Sequence, residues 1–255
     1  MEISIITGCY NEGKNIENFV KCVTNEMEKE KIENFEIMIM DESTDPDTIE
    51  ILNSFSENKK IRVIRNIKRS GLLISEMEGI SLASGNMKII IDCDMQHNPK
   101  YIGKIIDGLK SDVDCVIMSR FKEGGRQEMR FYRYILSITA GAISKIYIPS
   151  LRDISDPTSG FFGIKGKVRT EIPDFKGTKS LMLILALNPD LKVMEIPYHF
   201  QTRQSGKSKI MTPDIFYSFM KEVSNFRKIY FKNKSSKSGI IPKGLENTLG
   251  KYQKL

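Results

Sequence analysis

A chain of 255 residues and 29.2 kDa can bury a core without disulfides or a structural metal, and suggests one large domain or a domain with an appendage. A composition of 40% hydrophobic and 28% charged residues excludes wholesale disorder. Four scattered cysteines (Cys9, Cys22, Cys93, Cys115) with no C-x-x-C pair exclude a zinc ribbon or thioredoxin motif and fit a reducing compartment. The net charge is +7, but residues 201–255 hold 12 Lys/Arg against 3 Asp/Glu, so the excess is C-terminal. Such a segment suits phosphates on lipid headgroups, nucleic acid or a substrate, or serves only as a solubilising tail. The opening MEISIITGCYNE lacks the basic stretch and apolar run of a signal peptide, and no apolar run approaches the roughly 20 residues of a membrane span.

Along the chain, Ile3–Ile6 reads as a buried strand. Asn11–Lys29 reads as a helix, with Ile16, Phe19, Val20, Val23 and Met27 near helical spacing. Glu36–Met40 is an apolar run cut off by Asp41, as a central strand would be. Pro46–Asn58 follows as a helix with Asp45 as N-cap. Strands at Ile61–Ile64, Lys88–Ile91 and Asp114–Met118 alternate with helices at Gly71–Ala83 and Tyr101–Leu109. This β-α alternation predicts an α/β fold, with a mostly parallel sheet flanked by helices on both faces and ligands beyond the carboxyl ends of its strands.

After Arg120 the pattern changes. Glu123–Arg133 reads as a polar loop, Phe131–Tyr147 as a long apolar-rich helix, and Asp153–Ile164 as turns leading to a strand near Phe161–Ile164. Leu181–Leu187 is a helix or buried segment, Lys192–Pro197 a strand and Thr202–Lys209 a basic loop. Pro213–Phe231 reads as a helix, and Lys232–Leu255 as a basic, loop-like tail. The division expected is a main domain over 1–212 and a C-terminal helix with basic tail over 213–255.

Two strands run into acids, the second at Asp41-Glu42 and the fourth at Asp92-Cys93-Asp94. Carboxylates spaced D-x-D can point the same way and suit a hard divalent cation, Mg²⁺ or Mn²⁺, that also binds a diphosphate. On its own a D-x-D is more often a helix cap and a solvated turn; its place at the end of the fourth strand favours the cation. His97 is a third-ligand candidate, but a capping or surface role is the preferred reading. His199 is read as strand-edge packing, and Cys9 and Cys93 as buried small residues. The aromatics Phe216, Phe219, Phe226, Tyr230 and Phe231 suit either a buried helix face or a bilayer surface.

Several motifs, taken in order, resemble a family 2 glycosyltransferase of the GT-A (Rossmann-like) fold. They are Tyr10-Asn11-Glu12, Asp41-Glu42-Ser43, Asp92-x-Asp94-x-Gln96, Ser119-Arg120-Phe121, Asp156-x-Thr158-Ser159-Gly160-Phe161, Glu195-Ile196-Pro197 and Arg203-x-x-x-Gly206-x-Ser208-Lys209. The set is similar in particular to the branch that acts on dolichyl or polyprenyl phosphate, over roughly residues 1–212. Glu42 and the missing glycine after it, Thr7-Gly8-Cys9 in place of a proline-bearing turn, and Phe162 depart from the family pattern.

The resemblance implies an inverting transfer of a hexose, mannose or glucose, from GDP-mannose or a UDP-sugar to a polyprenyl phosphate. It implies that Tyr10, Glu12, Asp41, Asp92 and Gln96 meet the nucleotide sugar and that Asp92 and Asp94 hold Mg²⁺ or Mn²⁺. Asp94, Arg120, Arg203 and Lys209 would serve catalysis, and Arg120, Arg133 and Ser159 the acceptor phosphate. Metal and Arg/Lys would stabilise charge developing on the leaving diphosphate. A phosphate acceptor needs no general base, and no acid lies between Phe175 and Pro189. The same resemblance implies a cytoplasmic protein, peripheral at the inner face of a membrane through its tail or an anchoring partner. The alternatives are a hydroxyl acceptor on a glycan or lipid-linked oligosaccharide, a catalytically silent scaffold, and, remotely, a nucleic-acid-binding protein; no known nucleic-acid module is present, and none is expected as a partner.

Overall fold

The computed structural model describes residues 1–66, 69–128, 131–166, 168–201, 213–236 and 252–254. The first half alternates as its hydrophobic periodicity predicts. Strands Ile3–Cys9 (β1), Phe35–Asp41 (β2), Ile61–Asn66 (β3) and Met87–Ile90 (β4) are separated by helices Lys14–Lys29 (α1), Pro46–Ser54 (α2) and Leu72–Leu82 (α3). Helix Ile102–Lys110 (α4) leads to Cys115–Ser119 (β5). Then come Arg126–Gln127 (β6), Phe131–Tyr147 (α5), Phe162–Lys165 (β7), Ser180–Leu187 (α6), Val193–Pro197 (β8), His199–Phe200 (β9), Pro213–Ser236 (α7) and Tyr252–Lys254 (β10).

The main sheet runs β10-β3-β2-β1-β4-β7-β5-β8, and β6 pairs with β9 in a small second sheet. The β1–β2, β1–β4, β2–β3 and β5–β8 pairs are parallel. β7 lies antiparallel between β4 and β5, with Ile90 opposite Phe162 and Ile117 opposite Phe162. The sheet is thus mixed at its centre, which strand counting along the sequence does not reveal because only long-range pairing places β7 there.

Alternation along each strand divides the interior in two. Ile3, Ile5, Ile37, Ile39, Ile89, Val116 and Met118 face one core with Phe19 and Val23 of α1 and Ile105 and Leu109 of α4. Ile6, Met38, Met40, Ile90, Cys115 and Ile117 face the other, with Met77 and Ile80 of α3, the apolar α6, and Phe219, Val223, Phe226 and Tyr230 of α7. The two faces expected to carry helices both do.

Several local boundaries differ from expectation. α1 starts at Lys14 rather than Asn11, because Asn11 and Gly13 adopt left-handed backbone (φ 56° and 51°) in the turn after β1. α2 ends at Ser54, four residues short of Asn58. α7 runs on to Ser236, past Phe231. The segment 123–133 contains β6, and the tail expected to be loop-like contributes β10, antiparallel to the edge strand β3.

Candidate functional site

Three chain crossings at the carboxyl ends of β1, β2 and β4 build one cleft of about 470 Å³. The turn after β1 is held by Asn11, whose carboxamide oxygen accepts from the amides of Thr44 (2.8 Å) and Asp45 (3.0 Å) and whose own amide donates to Ser43 Oγ at 3.0 Å. This leaves Tyr10 partly exposed on the cleft, with Glu12 beside it. The Arg69 guanidinium stacks on the Tyr10 ring, 3.8 Å from its centroid.

After β2, Asp41 and Glu42 diverge because consecutive side chains point to opposite sides. Asp41 is fully buried; its Oδ1 accepts from the Ser43 amide at 2.8 Å, and its Oδ2 lies 3.8 Å from Arg65 Nε. It does not line the cleft, whereas Glu42 does. Glu42 accepts from the Ser70 and Gly71 amides (2.8 and 3.0 Å) and from the hydroxyls of Ser70 and Ser75 (3.0 and 2.9 Å). By fixing the 70–71 turn it sets where Arg69 stands.

After β4, Asp92 and Asp94 both line the cleft. Asp94 Oδ1 accepts from the Gln96 amide at 3.0 Å, and Met95 between them takes left-handed backbone (φ 64°), a sharp turn that aims both carboxylates at the same space. Asp92 Oδ2 lies 3.4 Å from His97 Nε2. A β-carbon on Gly160 would stand 3.0 Å from that same Oδ2, so the glycine makes room for the carboxylate. Gln96 turns away, donating to the Gln201 carbonyl at 3.4 Å. Two carboxylates with oxygen donors only, opening on a polar cleft, fit a hard divalent cation whose other ligands are water and diphosphate.

These acids at the ends of β1, β2 and β4 fall in a stretch, residues 4–176, that matches the glycosyl transferase family 2 profile. The chain belongs to that family. Among its relatives is the dolichol-phosphate mannosyltransferase of Pyrococcus furiosus, 35% identical over 85% of this chain and 61% of the relative. The dolichol-phosphate mannosyltransferase of Saccharomyces cerevisiae is 26% identical over 82% of this chain and 81% of the relative. The chain thus spans less than two thirds of the Pyrococcus protein's length. The glucosyl-3-phosphoglycerate synthase of Mycobacterium tuberculosis, solved with Mn²⁺, uridine-diphosphate-glucose and glycerol 3-phosphate, superposes with a TM-score of 0.60 at 17% identity, over 100% of this chain and 86% of that one. At that identity the likeness speaks for the fold, an α/β GT-A architecture.

The family 2 residues of the second half sit less uniformly at the cleft. Arg120 follows β5 and is nearly buried; its Nε and one terminal nitrogen each lie 2.7 Å from the Asp156 carboxylate, and that nitrogen also donates to Thr158 Oγ1 at 2.9 Å. Burial alone would lower the guanidinium's pKa, but the Asp156 hydrogen bonds and charge outweigh it and leave the pKa raised. Glu195 of β8 holds this pair in place by accepting from the Ser155 and Asp156 amides at 2.8 and 3.0 Å. Ser159 is buried and donates to the Met118 carbonyl at 2.8 Å, which ties the turn before β7 to β5 rather than opening on a cavity. The backbone of Arg133 lies in α5. Its side chain, and Arg203, Gly206 and Lys209, lie outside the described residues.

A second cleft of about 610 Å³ opens between the 120–127 segment and α5. Arg120, Lys122, Arg126 and Lys145 give it basic walls, and Tyr134, Ser137 and Ile138 of α5 line its other side.

Sequence reasoning missed or misjudged four residues in or near the site. Arg69 carried no motif, and its place follows only from the Glu42-bound turn. Glu42 was visible as a departure from the family pattern, but its hydrogen bonds were not. His97 is neither capping nor on the surface: it is buried among Phe161, Tyr198 and Phe200, with its Nδ1 2.9 Å from the Tyr198 hydroxyl. Glu76, which carries no motif in the sequence, is buried on α3 near Asp92, Ser180 and Lys179. Desolvation first, then the nearby Asp92 charge, pushes its pKa up to about 8, so it holds a proton at neutral pH. His199 is a strand-edge residue as expected, 3.0 Å from Glu128. Cys9 and Cys93 are buried free thiols.

Proposed function

We propose that this chain transfers a hexose from a nucleotide-diphosphate sugar to dolichyl or another polyprenyl phosphate, with inversion at the anomeric carbon. The observation that carries the proposal is the convergence of Asp92 and Asp94 on the cleft that also holds Tyr10, Glu12 and Arg69. Relatives named dolichol-phosphate mannosyltransferase support the acceptor.

In this reading Tyr10 and Arg69 grip the nucleoside and Glu12 its polar edge, while Asp41 acts through the Ser43 turn. Asp92 and Asp94 would hold Mg²⁺ or Mn²⁺, which when bound would supply positive charge for the leaving diphosphate. Arg203, Lys209 and Arg133 would supply cationic groups for the donor and acceptor phosphates. Arg120 acts on the acceptor side as part of the second cleft's wall, its charge already matched by Asp156, and Ser159 acts there only through the turn it ties to β5. An acceptor phosphate oxygen displaces the diphosphate at the anomeric carbon, and the carbon–oxygen bond to the diphosphate breaks. An anionic phosphate needs no proton removed, in keeping with an α6 that is apolar after Ser180 and offers no base.

We further propose a peripheral seat at the cytoplasmic face of a membrane. No helix among the described residues is long and apolar enough to cross one. Ile135, Ile138 and Ile146 stand exposed on α5, and Ile215, Phe216 and Tyr217 on the adjacent α7. These exposed apolar residues, together with Lys228, Lys232 and Lys234 toward the other end of α7, suit an anionic lipid surface.

The test is transfer of labelled mannose from GDP-mannose, or glucose from UDP-glucose, to dolichyl phosphate in anionic vesicles with Mn²⁺. The expected result is label in the organic phase that depends on the cation and on Asp94. Label found only on a hydroxyl-bearing glycan acceptor would refute the phosphate acceptor.

A further inference from the structure

α6 is buried along its whole length, and no side chain of its own caps its first amides. Buried amides without acceptors are costly. The two amides just ahead of α6, those of Thr178 and Lys179, find their acceptor on α7. Glu222 is buried, and its Oε1 accepts from the Thr178 and Lys179 amides at 2.7 and 2.8 Å, while the Thr178 hydroxyl donates to its Oε2 at 3.5 Å.

The turn so held is part of the cleft wall: Gly177 and Thr178 line the same space as Asp92 and Asp94. On its other side the turn is tied to α3, whose Leu73 amide donates to the Gly177 carbonyl at 3.1 Å. A β-carbon at Gly177 would stand 2.5 Å from Glu222 Oε1 and 2.7 Å from Leu73 Cδ2, so the glycine is what lets α3 and α7 close on the turn. On either side of Glu222 in the chain, Phe219, Val223 and Phe226 are buried in the core and anchor this stretch of α7. The turn Gly177–Lys179 and Glu222 itself lie beyond residue 176, where the family match ends.

We propose that Glu222 is a positioning residue of the nucleotide cleft, and that through it α7 forms part of the active site. It fixes the Gly177–Lys179 turn, whose Gly177 and Thr178 line the cleft together with the carboxylates, and joins that turn to the helix whose Ile215, Phe216 and Tyr217 face solvent. The proposal rests on reading the cleft as the nucleotide-sugar site.

The test uses the full chain with Glu222→Ala, Glu222→Gln and Glu222→Asp. Amide hydrogen exchange is followed at Thr178 and Lys179, and GDP and UDP binding is measured with Mn²⁺. In the alanine variant those two amides should exchange about tenfold faster or more, while β1 and β2 amides keep their rates. Affinity for whichever nucleotide the wild type binds should fall by about tenfold, the factor expected from losing one charged hydrogen-bonding group. Glutamine keeps an acceptor oxygen and should restore most of both. Aspartate keeps the charge but shortens the reach, so it should give the alanine pattern on a smaller scale; it carries the test if the alanine variant does not fold. Faster exchange with unchanged nucleotide affinity would reduce Glu222 to a helix cap and overturn the proposal. Unchanged exchange would overturn it as well. Wild-type protein that binds neither nucleotide would instead refute the nucleotide-sugar reading, and the proposal with it.

Discussion

Replacing Glu76 by glutamine removes an acid whose burial is unfavourable once it ionises. Its pKa of about 8 lies above the ordinary 4.5 that the unfolded chain would show. Between those values the native state keeps a proton that the unfolded state has released, so native stability falls as pH rises through this window and levels off above it. From 4.5 to pH 7, at about 1.4 kcal/mol per pH unit, the handicap amounts to about 3 kcal/mol. Glutamine mimics the protonated acid in shape and can still pair with Ser180, but it does not titrate. Glu76→Gln should therefore be more stable than wild type by about 3 kcal/mol at pH 7, with the gap closing toward pH 4.5. Urea unfolding at pH 5, 6, 7 and 8 measures it. A gap that is independent of pH, or a glutamine variant less stable at pH 7 than wild type, would refute the burial argument.

Other outcomes follow from the same geometry. Asp94→Ala should abolish Mn²⁺-dependent nucleotide binding and transfer while leaving the melting temperature near wild type; calorimetry and the vesicle assay check both. Asp156→Asn leaves the buried Arg120 guanidinium without its counter-charge and should cost about 3–5 kcal/mol in denaturant unfolding, as breaking a buried pair does. Arg69→Ala should weaken nucleotide binding about two- to fivefold, the scale of one partly exposed cation–π contact, read by titration. Ile138→Glu and Ile146→Glu should each reduce co-sedimentation with anionic vesicles without weakening GDP or UDP binding.

The sequence by itself determined the α/β alternation, because a buried strand leaves an uninterrupted apolar run and an amphipathic helix leaves a 3.6-residue rhythm. It also located the acids at the ends of β2 and β4, since a carboxylate directly after an apolar run has few places to go but the strand's end. The family motifs were legible for the same reason: they are short, local and ordered along the chain. Tertiary structure decided whatever depended on residues far apart in sequence. It placed β7 antiparallel between β4 and β5. It sent Asp41 inward to Arg65 and Glu42 to the cleft, a choice that turns on one residue of register. It matched Arg120 with Asp156, 36 positions on. It buried His97 among aromatics brought together from two distant chain segments. It buried Glu76 near the Asp92 charge, which raises its pKa, and joined α7 to the cleft through Glu222. Periodicity says which face of an element is buried, but what that face meets depends on packing between elements, and packing sets the charge state and the partners of every buried polar group.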